Sequence, residues 1–155
     1  MWHHDTDGAI GVVINRPLAH ALSEVIDLDR GLDMSPYEDG LVSWGGPVEA
    51  GTGTVIAAAS LDDEDAWLLP DELSVTRSQE VLVRLVRRRI PLVLCLGYAG
   101  WGPGQLDQEI EAGGWLSTEV TRALVFDAPA EERYERALAT LGLTPTTVWM
   151  TPINE

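Results

Sequence analysis

The chain has 155 residues, a length that buries a core without help from metal or disulfide, and residues 1–155 are expected to form one domain. Its ten basic residues, all arginine, stand against 25 acidic ones, and the resulting charge of −15 repels phosphate and disfavours direct nucleic-acid binding by the surface at large. A single cysteine excludes an intramolecular disulfide, no apolar run approaches the roughly 20 residues that cross a bilayer, and no leader pattern opens the sequence, so a cytoplasmic, reduced protein without membrane contact is expected.

In chain order, Ala9 to Ile14 reads as a buried strand closed by Asn15-Arg16-Pro17. Leu22, Val25 and Ile26 have helical spacing, and Asp27 to Gly40, rich in Asp, Gly and Pro, reads as surface loop. Val42-Ser43-Trp44 leads into the turn Gly45-Gly46-Pro47-Val48, and Thr52 to Ala58 resumes a strand. After the acidic turn Asp62 to Asp65, Ala66 to Leu69 is expected to pair with that preceding strand as a hairpin. Leu73 to Val75 is extended. Thr76 and Gln79 then fit a capping box opening a helix from Ser78 to Arg88, which ends in the basic run Arg87 to Arg89 and Pro91.

Pro91 to Leu96 is apolar throughout, as expected of a strand buried on both faces. It runs into Gly97-Tyr98-Ala99-Gly100-Trp101-Gly102-Pro103-Gly104-Gln105, a segment read as a glycine-rich turn. A helix from Pro103 to Glu111 follows, with Gly113-Gly114 as its stop; Leu124 to Phe126 reads as a strand, and Ala130 to Leu141 as a helix capped by Gly142. Alternation of strands and helices predicts an α/β or α+β fold with a mixed sheet.

No complete catalytic constellation is visible. The glycine segment lacks a Gly-Lys-Ser/Thr ending and the dinucleotide spacing, and Asp107, Glu109 and Glu111 would repel phosphate, so it reads as structural. Cys95 sits in an apolar run and reads as an inert core thiol; only His3, His4 and His20 are available as imidazole bases. Neither a His-x-x-x-His pair nor a cysteine pair supports zinc, and no metal or cofactor is expected. Arg84, Arg87, Arg88 and Arg89 form the one concentration of positive charge and read as a helix end and solvated face.

The glycine segment with Leu106, Glu109-Ile110 and Trp115-Leu116, together with Gly8-Ala9-Ile10-Gly11-Val12-Val13-Ile14-Asn15-Arg16-Pro17 and Gly45-Gly46-Pro47-Val48, resembles the three ordered signatures of the YqgE/AlgH family. The resemblance implies a curved, bifurcated sheet forming a pseudo-barrel with helices packed against it. It brings no established biochemical activity; the AlgH name implies a role in transcriptional regulation. It also implies a first strand upstream of His4 that is missing here, so Met1 is expected to fall inside a strand, and it gives His4 a strand-end place where Asp5 or Asp7 could pair with it.

Two readings follow. One is a non-enzymatic binding protein with a regulatory role. The other is a small-molecule or anion-binding protein, or an enzyme of another type, with a cleft between the glycine turns lined by Asn15, Arg16, Trp44, Gly45, Gly46, Tyr98, Gly100, Trp101 and Gln105. In that cleft Arg16 would bind a carboxylate or lock the turns by ion pairing. A small molecule or a protein is the expected partner, and the sequence leaves the oligomeric state open.

Overall fold

A computed structural model describes residues 1–27, 31–38 and 42–150, with the side chains of 149 and 150 not considered. Among the described residues seven strands run β1 (His3–Asp5), β2 (Gly8–Gly11), β3 (Val42–Trp44), β4 (Val48–Ala57), β5 (Ala66–Leu69), β6 (Leu73–Thr76) and β7 (Leu92–Trp101). Five helices, α1 (Leu22–Val25), α2 (Gln79–Arg87), α3 (Gln105–Glu111), α4 (Arg133–Thr140) and α5 (Pro145–Met150), complete the described elements together with short 3₁₀ and π turns.

The sheet has the order β1-β2-β7-β4-β6-β5, and β3 is an additional partner of β7. β7 is the axis. Along Leu94 to Leu96 it pairs in parallel with β3, whereas along Ala99 to Trp101 it pairs antiparallel with β2. β4 lies on its other side, with a register shift between Val48 and Gly53. One strand thus serves two successive partners, which is the bifurcation, and the sheet curls until Trp2 beside β1 meets Trp67 of β5 with ring centroids 6.2 Å apart.

Strand alternation sorts the core into two clusters. Leu92 and Leu94 of β7 join Val55 and Ala57 of β4 beneath Val81, Leu82, Leu85 and Val86 of α2. Val93 and Cys95 face the opposite way, against Ile56, Leu73, Val75 and Val125. The apolar run is therefore buried on both faces, as the sequence indicates.

Several expectations need correction. The glycine segment is mostly strand: β7 continues to Trp101, and the turn is confined to residues 102–104. Pro103 precedes the helix instead of opening it; the cap is Gly104 in the left-handed region (φ 71°). Gly113-Gly114 does stop α3, because Gly113 adopts φ 79° and the two amides reach the carbonyls of Ile110 and Glu109. β5 pairs with β6 that follows it, leaving β4 to pair with β6 from the other side. The cap of α2 is Ser78, whose Oγ accepts from the Val81 amide at 3.3 Å; Thr76 Oγ1 instead donates to the Asp65 carbonyl at 2.7 Å.

The ladder strand β2 stops at Gly11, short of the expected Ile14. Beyond it, the Val13 amide bonds Gly45 O and Trp44 N bonds Arg16 O, so residues 13–18 run as an irregular strap along β3. The expected strand at Leu124 to Phe126 is a π turn, Ala123–Asp127. In the stretch expected as surface loop, residues 28–30 and 39–40 lie outside the described residues, but Tyr37 is buried and its hydroxyl donates to the Ile90 carbonyl at 2.8 Å. The C-terminal helix begins as a 3₁₀ turn, Ala130–Glu132, and α4 ends as expected at Gly142 (φ 72°). α5, beyond the Gly142 cap, has no counterpart among the sequence expectations.

Candidate functional site

Where β7 ends, the chain turns through residues 102–104 and α3 runs back beside β2. Gln105 ties the turn to the helix: its Oε1 accepts the Gly102 amide and its Nε2 donates to Glu109 Oε1, both at 3.0 Å. Glu109 Oε2 accepts two indoles, Trp101 Nε1 at 3.0 Å and Trp115 Nε1 at 2.7 Å. One carboxylate therefore fixes two tryptophans, which meet edge to face with centroids 5.6 Å apart. Donation from Trp115, then from Gln105, and further from Trp101 holds the Glu109 carboxyl below its ordinary range.

Trp101 and Trp115 wall an open groove of about 370 Å³, whose floor and sides include Val12, Ile14, Leu106 and Ile110. Leu106 is buried, whereas Ile110, Trp115 and Leu116 are 37%, 48% and 57% exposed and form an apolar lip. Asn15 and Ser117 supply polar groups to the lining. The chemistry is that of a recess for apolar groups; His4 lies outside it, paired with Asp107 of α3 at 3.0 Å, and His3 pairs with Asp5 at 2.7 Å. The expectation that His4 would pair with Asp5 or Asp7 is thus corrected, since β1 turns His4 toward α3.

A pH dependence follows from the Glu109 clamp. Its folded carboxyl titrates below the unfolded one, so the clamp contributes fully above the ordinary glutamate value of about 4.3 and is lost as pH falls through the lower folded value. Near-ultraviolet circular dichroism of the tryptophans is expected to show an acid step in the native chain that Glu109→Ala lacks. The same step in both would refute the assignment.

The sequence-predicted residues divide into two groups. Asn15 and Trp101 line the groove, and Gln105 braces it. Arg16 stacks over the Trp44 ring at 5.0 Å, and Tyr98 carries a second arginine, Arg77, at 5.3 Å; Arg77 also approaches Glu49 at 3.7 Å. Gly45 and Gly46 are packed against the backbone of residues 96–99, and Gly100 sits in the β2–β7 ladder opposite Ile10. The glycine turns meet by direct backbone contact: a Cβ on Gly45 would lie 2.3 Å from Gly97 O, and one on Gly46 2.2 Å from Tyr98 C.

Ile110, Trp115, Leu116 and Arg77 lie outside the cleft expected from the sequence. For Trp115 the signal is partial: it stands six residues after Glu109, just past the glycine stop of α3, but the approach of Trp101 from the end of β7 is set by the sheet. Cys95 is fully buried, and desolvation pushes its thiol up to about 12, which leaves no thiolate nucleophile at neutral pH. Among the described residues no group of three or more His, Cys, Asp or Glu could hold a metal ion, and no helix is long and apolar enough to cross a membrane.

Comparison with known proteins gives a consistent picture. A family model described as AlgH-like matches residues 1–146. A UPF0301 protein of Chromobacterium violaceum is 38% identical over 146 residues, covering 92% of this chain and 78% of the relative; one of Paraburkholderia phymatum is 40% identical over 145 residues, covering 91% and 76%. The solution structure of the AlgH protein from Pseudomonas aeruginosa superposes with a TM-score of 0.73 at 33% identity, covering 98% of this chain and 82% of that one. A crystal structure from Corynebacterium diphtheriae, at 19% identity and a TM-score of 0.68 over 97% of this chain and 79% of that one, shares the fold.

Proposed function

The chain belongs to the AlgH-like family, and from that premise we propose that it is a non-enzymatic binding protein that works through the groove beside Trp101 and Trp115. The observation that carries this reading is the clamped tryptophan pair. A carboxylate with three donors is used to hold two large apolar side chains at the rim of an open recess, where their exposure costs free energy unless something covers them. Rigid aromatic side chains are common anchors at binding surfaces.

The regulatory role that the AlgH resemblance implies is assigned, in this reading, to contact with another protein and not with duplex DNA. Of the four arginines in the cluster two are already paired, Arg84 with Asp63 and Arg89 with Asp33, the latter at 2.5 Å. The net charge of −15 acts in the same direction. The binding surface is placed at the groove in preference to the glycine turns because Asn15 and Trp101 share a cavity there, whereas the glycines at the turns are in contact with each other's backbone.

The test is a titration with Nile red, an uncharged apolar dye. Its fluorescence is expected to rise on binding the native chain, and Leu116→Asp, which alters an exposed lip residue, should weaken that binding at least about tenfold, as loss of a desolvated apolar contact does. A dye response indifferent to Leu116→Asp would remove the groove from consideration.

A further inference from the structure

We infer that the groove takes a lysine- or arginine-bearing amphipathic segment of a partner protein; this rests on the groove being the binding surface and names the class of its occupant. Two observations combine. The lip is apolar, with Ile110, Trp115 and Leu116 partly exposed in one patch around the recess. Its flanks are acidic: Glu111 follows Ile110 on α3, Glu119 follows the lining residue Ser117 by two positions, and Asp107, three residues before Ile110, is shared with His4 at 3.0 Å.

The nearby arginines do not offset those carboxylates. Arg122 is engaged with the Ala58 carbonyl and lies 3.7 Å from Glu72, while Arg133 is spent on the carbonyls of Ile14, Val125 and Ala128. Glu109 itself has both oxygens occupied by Trp101, Gln105 and Trp115, so it serves as a brace and is not a free anion at the rim. An apolar ridge with cationic edges is the complement of such a surface, as in helix-in-groove recognition. A second copy of this chain is a poor occupant, because it would bring the same acidic flanks and a further −15 charge into contact.

The experiment compares two fluorescein-labelled 18-residue peptides of the same amphipathic pattern, one of leucine and lysine and the other of leucine and glutamate, by anisotropy against the full chain, alongside the Nile red titration. The lysine peptide is expected to bind at low salt, to weaken at least about tenfold at 0.3 M salt, and to lose binding at least about tenfold with Leu116→Asp; the glutamate peptide should not bind. Glu111→Lys with Glu119→Lys should weaken the lysine peptide at least about fivefold and leave Nile red unchanged. Folding of each variant is checked by the two indole N–H resonances of Trp101 and Trp115.

Equal binding of the two peptides, with Nile red still sensitive to Leu116→Asp, overturns the cationic partner and keeps the groove. Lysine-peptide binding indifferent to Leu116→Asp also overturns it, as adsorption to acidic surface elsewhere. Loss of sensitivity to Leu116→Asp in every titration overturns the groove itself.

Discussion

Gly46→Ala is expected to destabilise the chain by about 3 kcal/mol or more, or to leave it unfolded, although alanine is the smallest possible addition. Gly46 has φ 157° and sits where β3 leaves β7, and its added Cβ would fall 2.2 Å from Tyr98 C, 2.3 Å from Tyr98 O and 2.6 Å from Ala99 N. The obstacles are backbone atoms of the central strand and cannot rotate aside. Gly97 opposite has φ 75° and would place its own Cβ 2.3 Å from Gly46 O, so the crossing is closed from both sides. Gly104→Ala is the internal control: it also has a positive φ, 71°, but nothing within 4 Å, and should cost only the backbone term of about 1–2 kcal/mol. Urea denaturation of the two variants measures the difference, and equal costs would mean that close approach at Gly46 is not the constraint.

Arg133→Met is expected to cost about 3 kcal/mol. Arg133 opens α4 and directs its guanidinium onto three carbonyls: Nε to Ala128 at 3.2 Å, one terminal nitrogen to Val125 at 2.8 Å and the other to Ile14. It thereby closes the C-terminal end of the π turn and joins it to the strap beyond β2. Hydrogen bonds to a charged group are worth about 1.5–3 kcal/mol each, and water reaching this half-buried site lowers their sum. Methionine preserves much of the apolar stem and strands the carbonyls. Arg133→Lys should recover only part of the loss, because an ammonium lacks the planar fork that spans three acceptors. A loss below about 1 kcal/mol for Arg133→Met, in the same denaturation assay, would show that solvent satisfies those carbonyls without the side chain.

Both effects concern places where local sequence signals and tertiary structure differ in what they reveal. The β7 strand was legible because five apolar residues bounded by Pro91 and Gly97 have few other homes. Leu124-Val125-Phe126 carries the same type of signal in only three residues, and there the longer-range bonds of Arg133 and the burial of Val125 favour a π turn. The exchange of hairpin partner between β4 and β5 has a similar origin: pattern marks a strand, but neighbours are chosen by which edges β7 leaves open. Of the candidate site, Asn15, Trp101 and Gln105 are among the residues expected in the cleft, while the lip of Ile110, Trp115 and Leu116, though part of the family signature, is not.

What the sequence determined by itself is the family, the mixed fold, the doubly buried central strand, the inert cysteine and the need for glycine between residues 97 and 104. The family rests on the resemblance of three ordered motifs; the others follow from composition, period and backbone permissiveness, all of which are local. Only the tertiary structure decided what the glycines are for. Gly45, Gly46 and Gly97 let one strand pass from β3 to β2, a requirement created by chain segments some fifty residues apart. The same passage carries β7 on to Trp101 and sends α3 back beside it, which sets two indoles on Glu109 and opens the groove. No spacing along the chain encodes that meeting, because it depends on how a curled sheet brings distant backbones within contact.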